Sequence, residues 1–142
     1  MTDKNKVFDP LRKREVSLTP EEQVRQWFIT VMEKVMKIPR HMMMSEASLS
    51  YGNKRYRADI VVWNRDASPL AIVECKRPDV TLDRAVLEQA LRYDIVMDVT
   101  YIIITNGLKT FAFRRTENDF EMMQELPQWE YMSRPGTDEP SK

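Results

Sequence analysis

Two neighbouring segments, YRADIVVW (Tyr56 to Trp63) and LAIVECK (Leu70 to Lys76), are rich in β-branched and aromatic residues, and each carries an acid among its apolar residues. Such segments read as strands. The stretch Asn64-Arg65-Asp66-Ala67-Ser68, ending at Pro69, is a loop that lets them pair as a hairpin. Side chains alternate faces along a strand. Arg57, Asp59, Val61 and Trp63 therefore share one face of the first strand, and Leu70, Ile72, Glu74 and Lys76 share one face of the second. Pairing Trp63 with Leu70 sets Asp59 opposite Glu74, with Cβ atoms about 4.5–5.5 Å apart. Two like charges at that distance repel. The ordinary reading is a solvated face on which Arg57 and Lys76 relieve the acids. Against it, both strands look central, and buried carboxylates are costly unless paired or bound to metal. A divalent cation between the acids would reverse the sign of their interaction, and hard cations such as Mg²⁺ take oxygen ligands. Lys76 comes next on that face, placed to offset the acids or hold a water. Cys75 points the other way and reads as a small core residue.

The rest of the chain supplies the surroundings. Residues 1–18 are polar with a few scattered apolar positions and read as an extended arm. Thr19-Pro20-Glu21-Glu22 is a helix start, with Thr as N-cap, Pro at the first helical position and acids in the first turn. Apolar residues then recur at Val24, Trp27, Phe28, Val31, Met32 and Val35, which predicts a helix over about 20–37 ending before Pro39. Trp27 and Phe28 read as core. Residues 42–51 read as a strand and Gly52-Asn53 as a turn. A second helix is expected over roughly 82–97. TYIIIT (Thr100 to Thr105) reads as a strand buried on both faces. Asn106-Gly107 is a hairpin signal, with 110–115 pairing back. Residues 119–132 read as one short helix broken near Pro127, and 133–142 as a disordered tail. The domain is thus placed at 19–132, an α/β domain with a mixed sheet flanked by helices.

Composition narrows the chemistry. One cysteine, Cys75, excludes an internal disulfide framework and a Cys-cluster zinc site, and one histidine, His41, excludes a His-rich site. No apolar run approaches the length that spans a bilayer, and the charged N-terminus does not read as a signal peptide. The expectation is a cytoplasmic protein without membrane contact. The 22 Lys plus Arg balance 22 Asp plus Glu, so a polyanion would be met by local basic residues and not by bulk charge. Available chemistry rests on carboxylates, Lys, Arg, Gln and a hard metal ion.

Asp59 followed by Glu74-Cys75-Lys76 resembles the PD-(D/E)xK nuclease signature. With Thr19-Pro20-Glu21-Glu22-Gln23-Val24-Arg25-Gln26, Lys54-Arg55-Tyr56-Arg57-Ala58-Asp59-Ile60, Val73-Glu74-Cys75-Lys76-Arg77-Pro78, Gln89 with Tyr93, and Thr105-Asn106-Gly107 in order, residues 7 to 115 resemble the N-terminal domain of type I restriction enzyme R subunits, especially small free-standing relatives. The resemblance implies a restriction-endonuclease-like fold and Mg²⁺- or Mn²⁺-dependent hydrolysis of DNA. It implies that Asp59 and Glu74 bind the metal, that the Cys75 carbonyl is a further ligand, and that Lys76 is the catalytic lysine. Glu22, or Glu21, matches the acid on the first helix, with Glu46 as a substitute. Gln89 matches the glutamine on the helix after the lysine strand, and Tyr93 lies one turn on. Ala58 stands where the signature has Pro. The chain lacks GxxxxGK[ST], so it has no P-loop motor.

Lys54, Arg55, Arg57 and Arg77 flank the acid strands and are candidate phosphate contacts, and Tyr93 is a further candidate nucleic-acid contact. Arg12-Lys13-Arg14 and Arg114-Arg115 read as solvated. The partner implied is DNA, within either a homodimer or a larger restriction complex. The alternative is a catalytically weak or inactive DNA-binding or assembly module with the same fold.

Overall fold

The computed structural model describes residues 5–94 and 98–134, apart from the side chains of Tyr51, Tyr93 and Asp94. Helix α1 (Pro20–Lys34) begins as its sequence dictates: the Thr19 hydroxyl accepts the Glu22 N–H at 3.1 Å, and Pro20 takes the first turn. Strands β3 (Met43–Tyr51), β4 (Lys54–Trp63) and β5 (Pro69–Cys75) follow, then helix α2 (Arg84–Asp94), β6 (Tyr101–Thr105), β7 (Thr110–Arg115), β8 (Phe120–Met122) and a short helix α3 (Trp129–Met132). The six strands β3 to β8 form one sheet in sequence order. All neighbours are antiparallel except β5 and β6, which are parallel and joined through α2. This is the mixed α/β sheet flanked by helices that the sequence predicts.

Each face of the sheet has its own core. On one, Phe28, Ile29 and Met32 of α1 pack on Ile60, Val73 and Ile103. On the other, Leu82 and Leu87 pack on Val61, Ile72 and Ile104. Strand β6 is buried throughout, as its unbroken apolar run requires.

Several expectations are corrected. The part of the expected arm from residue 5 on is folded: β1 (Lys6–Asp9) and β2 (Arg14–Ser17) form a separate hairpin, and residues 1–4 lie outside the described residues. The span 119–132 holds strand β8 and helix α3 because Phe120 to Met122 pair onto β7, a tertiary contact that local propensity does not announce. Ser133 is buried and donates to the Trp129 carbonyl at 2.8 Å, so the ordered chain outlasts the expected boundary. The remainder of the expected tail, 135–142, lies outside the described residues. Trp27 is exposed, and the buried stripe of α1 runs instead through Arg25, Phe28, Ile29 and Met32.

The Thr19 cap fixes where α1 begins, and α1 carries acids and an arginine to the strands. Thr19→Ala is expected to cost about 1 kcal/mol. A fall in Tm of roughly 3–5 °C in a thermal melt would check it.

Candidate active site

Strands β4 and β5 pair as expected over Ile60–Val73, Val61–Ile72 and Val62–Ala71, while a bulge moves Trp63 opposite Pro69 instead of Leu70. The register carried one step past Ile60 sets Asp59 against Glu74. There the ladder stops, and the Asp59 carboxylate replaces a backbone acceptor: its Oδ2 receives the Cys75 N–H at 2.6 Å. The Lys76 N–H donates to the Thr105 carbonyl at 2.8 Å, which ties the lysine backbone to the end of β6.

On the other side of β4, Ser45–Ile60 and Ala47–Ala58 bracket a position where Glu46 lies opposite Asp59. Glu46 has φ 55°, the left-handed region, a rare conformation for a side chain other than Gly, Asn or Asp. The β3–β4 hairpin changes cores at this point. Met43 and Ile60 belong to the α1 core, whereas Ala47 and Ala58 belong to the α2 core.

Arg25 enters this break from α1. It is 3% exposed. Its Nη1 donates to the Asp59 carbonyl at 3.0 Å and to Ser45 Oγ at 3.1 Å. Its Nη2 lies 2.8 Å from Glu46 Oε2 and 3.9 Å from Asp59 Oδ1, and its Nε lies 3.4 Å from Glu22 Oε2. Glu22 Oε2 also accepts from Arg12 Nη2 at 2.7 Å and Gln26 Nε2 at 2.9 Å. Arg12 in turn pairs with the buried Asp9 of the N-terminal hairpin, so it is not a solvated charge. Glu46 also pairs with Arg57. A chain of alternating charges thus runs from the hairpin through α1 to β3 and β4.

The electrostatics divide these acids. Burial would raise Asp9, but Arg12 and the Leu11 N–H hold it below its ordinary value. Burial would likewise raise Glu46, but Arg25 and Arg57 pull it down. Asp59 goes the other way: burial raises it beyond what the Cys75 N–H, Arg25 and Lys76 recover. Glu21 is also raised, first by burial and then by the negative charge of Asp59. Glu21 is thus a helix acid that feels Asp59, whereas the Glu22 carboxylate is engaged by Arg12 and Gln26.

On the α2 side, Glu74, Lys76, Gln89 and Arg57 line one open cleft of ≈ 410 Å³ with Val80, Val86 and Ala90. Four of the residues singled out in the sequence thus meet in one place. Cys75 is a free, buried thiol, raised by burial and then by the Asp59 charge, and its side chain belongs to the core. Arg77 is exposed beside Asp79, 3.3 Å away, and Lys54 and Arg55 are exposed at the start of β4. The side chain of Tyr93 lies outside the described residues. Sequence reasoning missed Arg25, whose signal was its place three residues after Glu22 and on the helical face of Phe28, Ile29 and Met32.

The donor set suits a hard cation. Asp59 and Glu21 are acids raised by burial, and Glu74 stands next to Asp59 in register. Among the described residues, no three His, Cys, Asp or Glu side chains converge to hold an ion alone. Mg²⁺ is commonly held by one or two carboxylates, with water and substrate phosphate completing the shell, and Asp59 and Glu74 are the candidates for such a pair.

The family profile described as type I restriction enzyme R protein N terminus (HSDR_N) matches residues 20–127, most of the chain. No curated protein matches significantly. Among solved structures, a fragment of a presumed HsdR subunit of a type I restriction enzyme from Vibrio vulnificus YJ016 is similar, with TM-score 0.54 and 18% identity over 78% of this chain. The match spans only 24% of that longer chain. A presumed DUF820 nuclease from Anabaena variabilis ATCC 29413 aligns with TM-score 0.49 and 12% identity over 83% of this chain and 75% of its own.

Two outcomes follow from the charge pattern. Arg25→Met removes the buried cation that Glu22, Glu46 and Asp59 share and should cost about 3–5 kcal/mol in denaturant unfolding. Asp59→Asn should act in the opposite direction as pH rises. A carboxyl raised in the folded state destabilises the fold when ionised, with no penalty below the unfolded value and the full penalty above the folded one. The Tm of Asp59→Asn minus that of the wild type should therefore increase from acid to neutral pH, and a flat difference would contradict this.

Proposed function

The chain belongs to the family of type I restriction enzyme R protein N termini, and on that premise we propose that it is a Mg²⁺- or Mn²⁺-dependent DNA nuclease domain. The observation that carries this reading is the single cleft lined by Glu74, Lys76, Gln89 and Arg57 beside an under-compensated Asp59. Asp59 and Glu74 would hold the ion, with the Cys75 carbonyl as a further oxygen. Glu21 is the preferred helix acid, because Glu22 is engaged by Arg12 and Gln26.

The magnitudes explain why a cation belongs in the proposal. A positioned acid or base contributes about 10²–10⁴-fold, well short of the roughly 10⁶–10¹⁷-fold enhancements typical of enzymes. A bound divalent ion supplies Lewis-acid stabilisation of the phosphoryl oxygens and lowers the pKa of coordinated water. The chain's own residues do the rest. Lys76, its backbone anchored on Thr105, holds and polarises the attacking water. Gln89, across the cleft, orients the phosphate or the lysine. Arg57 contacts phosphate from β4, and Lys54, Arg55 and Arg77 extend that contact outward, with Tyr93 further along α2. Contacts of this type position a nucleic acid without reading its sequence. Action within a larger restriction complex, or as a homodimer, belongs to the same proposal, as does a cytoplasmic location. Among the described residues, no helix is long and apolar enough to cross a membrane.

The second reading is an inactive DNA-binding or assembly module. It is favoured by the engagement of Asp59 with the Cys75 N–H and Arg25. Incubation with linear, circular, nicked and single-stranded DNA plus Mn²⁺ separates the two. Cleavage that falls by about 10²-fold or more in Glu74→Ala and Lys76→Ala, with Tm unchanged, is the expected result. Equal cleavage by both variants would remove these residues from the mechanism. DNA binding indifferent to metal and without cleavage would establish the second reading.

A further inference from the structure

Arg25 presents a problem for the proposed site. It is a buried cation within reach of the carboxylate that is meant to receive a metal ion. A guanidinium is always charged and forms short, bidentate pairs with carboxylates, so an unrestrained Arg25 would close on Asp59. It does not. Its Nη2 is 2.8 Å from Glu46 Oε2 and 3.9 Å from Asp59 Oδ1. The other Asp59 oxygen accepts from Cys75. Among the described acids around Arg25, Glu22 and Glu46 have short cation contacts, and Asp59 Oδ1 has only this long one.

The backbone adds an independent observation. Glu46 sits at φ 55° in the middle of a strand, opposite Asp59. Non-glycine residues in that region are strained, and such strain gathers at functional sites. Here it accompanies the swing of the hairpin from one core to the other, and it sets a carboxylate between two arginines, Arg25 on one side and Arg57 on the other.

We propose that Glu46 is a positioning residue: it holds the Arg25 guanidinium off the Asp59 carboxylate and so keeps Asp59 Oδ1 open to a divalent cation. The inference rests on the metal-dependent reading above, and it assigns Glu46 a role other than ligand. Glu46 also fixes Arg57, which lines the cleft containing Glu74, Lys76 and Gln89. One strained acid therefore serves both sides of β4, clearing the metal position and aiming the phosphate contact.

The test is a double-mutant cycle read by Mn²⁺ titration calorimetry on the intact chain, with a thermal melt confirming that each variant is folded. Glu46→Gln releases Arg25 onto Asp59 and should weaken Mn²⁺ binding about tenfold, whereas in an Arg25→Gln background the same change should matter less than about twofold, since coupling appears only between interacting residues. An equal loss in both backgrounds would mean that Glu46 contributes only its charge, and no loss in either would mean that it does not position Arg25. Both results overturn the inference while leaving the nuclease reading intact. Absence of Mn²⁺ binding by the wild type overturns both. Glu46→Asp, which keeps the charge on a shorter arm, should fall between wild type and Glu46→Gln, and equality with wild type would count against a distance-dependent hold.

Discussion

A buried guanidinium with acids on three different elements constrains this fold more tightly than any single apolar contact. Arg25 reaches from α1 to β3 and β4 and bonds a main-chain carbonyl, a hydroxyl and a carboxylate. Apolar packing tolerates sliding of a helix over a sheet by small steps, but a planar fork that must meet partners at fixed positions does not. Buried ion pairs are not dependable sources of net stability, since desolvation offsets much of their attraction. What this one fixes is geometry: the height of α1 on the sheet, and with it the position of Glu21 relative to Asp59. The Arg12 bridge extends the constraint to the N-terminal hairpin, which lies before the family-matched residues 20–127.

The sheet turns that constraint into a site by ceasing to pair. Up to Ile60 and Val73, β4 and β5 are joined by ordinary backbone hydrogen bonds. One residue later the Asp59 side chain takes over from the backbone as acceptor, and the strands no longer close the space between them. The parallel partner β6 continues past this point, holding Cys75 and then Lys76 through Thr105. The end of β5 is therefore rigid on one side and open on the other. Polar residues at a strand end in the body of a sheet are tolerable only where solvent, counter-charges or a ligand satisfy them. The opening beside α2 supplies solvent for Glu74 and Lys76, and Arg25 supplies partial counter-charge for Asp59.

Much of this was readable from residue order. The acid-bearing strands and their register up to the Trp63 bulge follow from a period of two and a short connecting loop, both local properties, whereas Gln89, on α2, came only from the family resemblance. TYIIIT announced a central strand because no polar residue interrupts it. What escaped depended on contacts between distant residues. Residues 120–122 are a strand only because β7 offers an edge. Arg12 looked like one of three surface cations, and nothing near it in sequence reveals that Asp9 and Glu22 enclose it. Trp27 and Ile29 exchanged roles because a helix face is set by its fit to the sheet, and Arg25, a charged residue, lies within the buried stripe. A tally of apolar positions assigns such a residue to solvent, although its spacing from Glu22 and Phe28 argued for the interior.

Zero net charge takes on a specific meaning in this arrangement. Asp9, Glu22 and Glu46 are paired with the partly buried Arg12, the buried Arg25 and the exposed Arg57, so these charges largely cancel one another. The sums that matter to a ligand are those left at the end of β5. Asp59 and Glu21 are acids, negative when ionised, whose burial raises them, whereas Lys54 and Arg55 are exposed at the start of β4 and Arg77 just past β5. A polyanion would be repelled by the first group and attracted by the second, and in water each effect decays within about 8–10 Å at ordinary ionic strength. A divalent cation at the acids would change the repulsion to attraction without altering the basic rim. The balanced composition is therefore no obstacle to the proposed nucleic-acid partner, because the charge that would govern approach is a local remainder that a cation would change, and the ion pairs that cancel the other charges also hold that remainder in place.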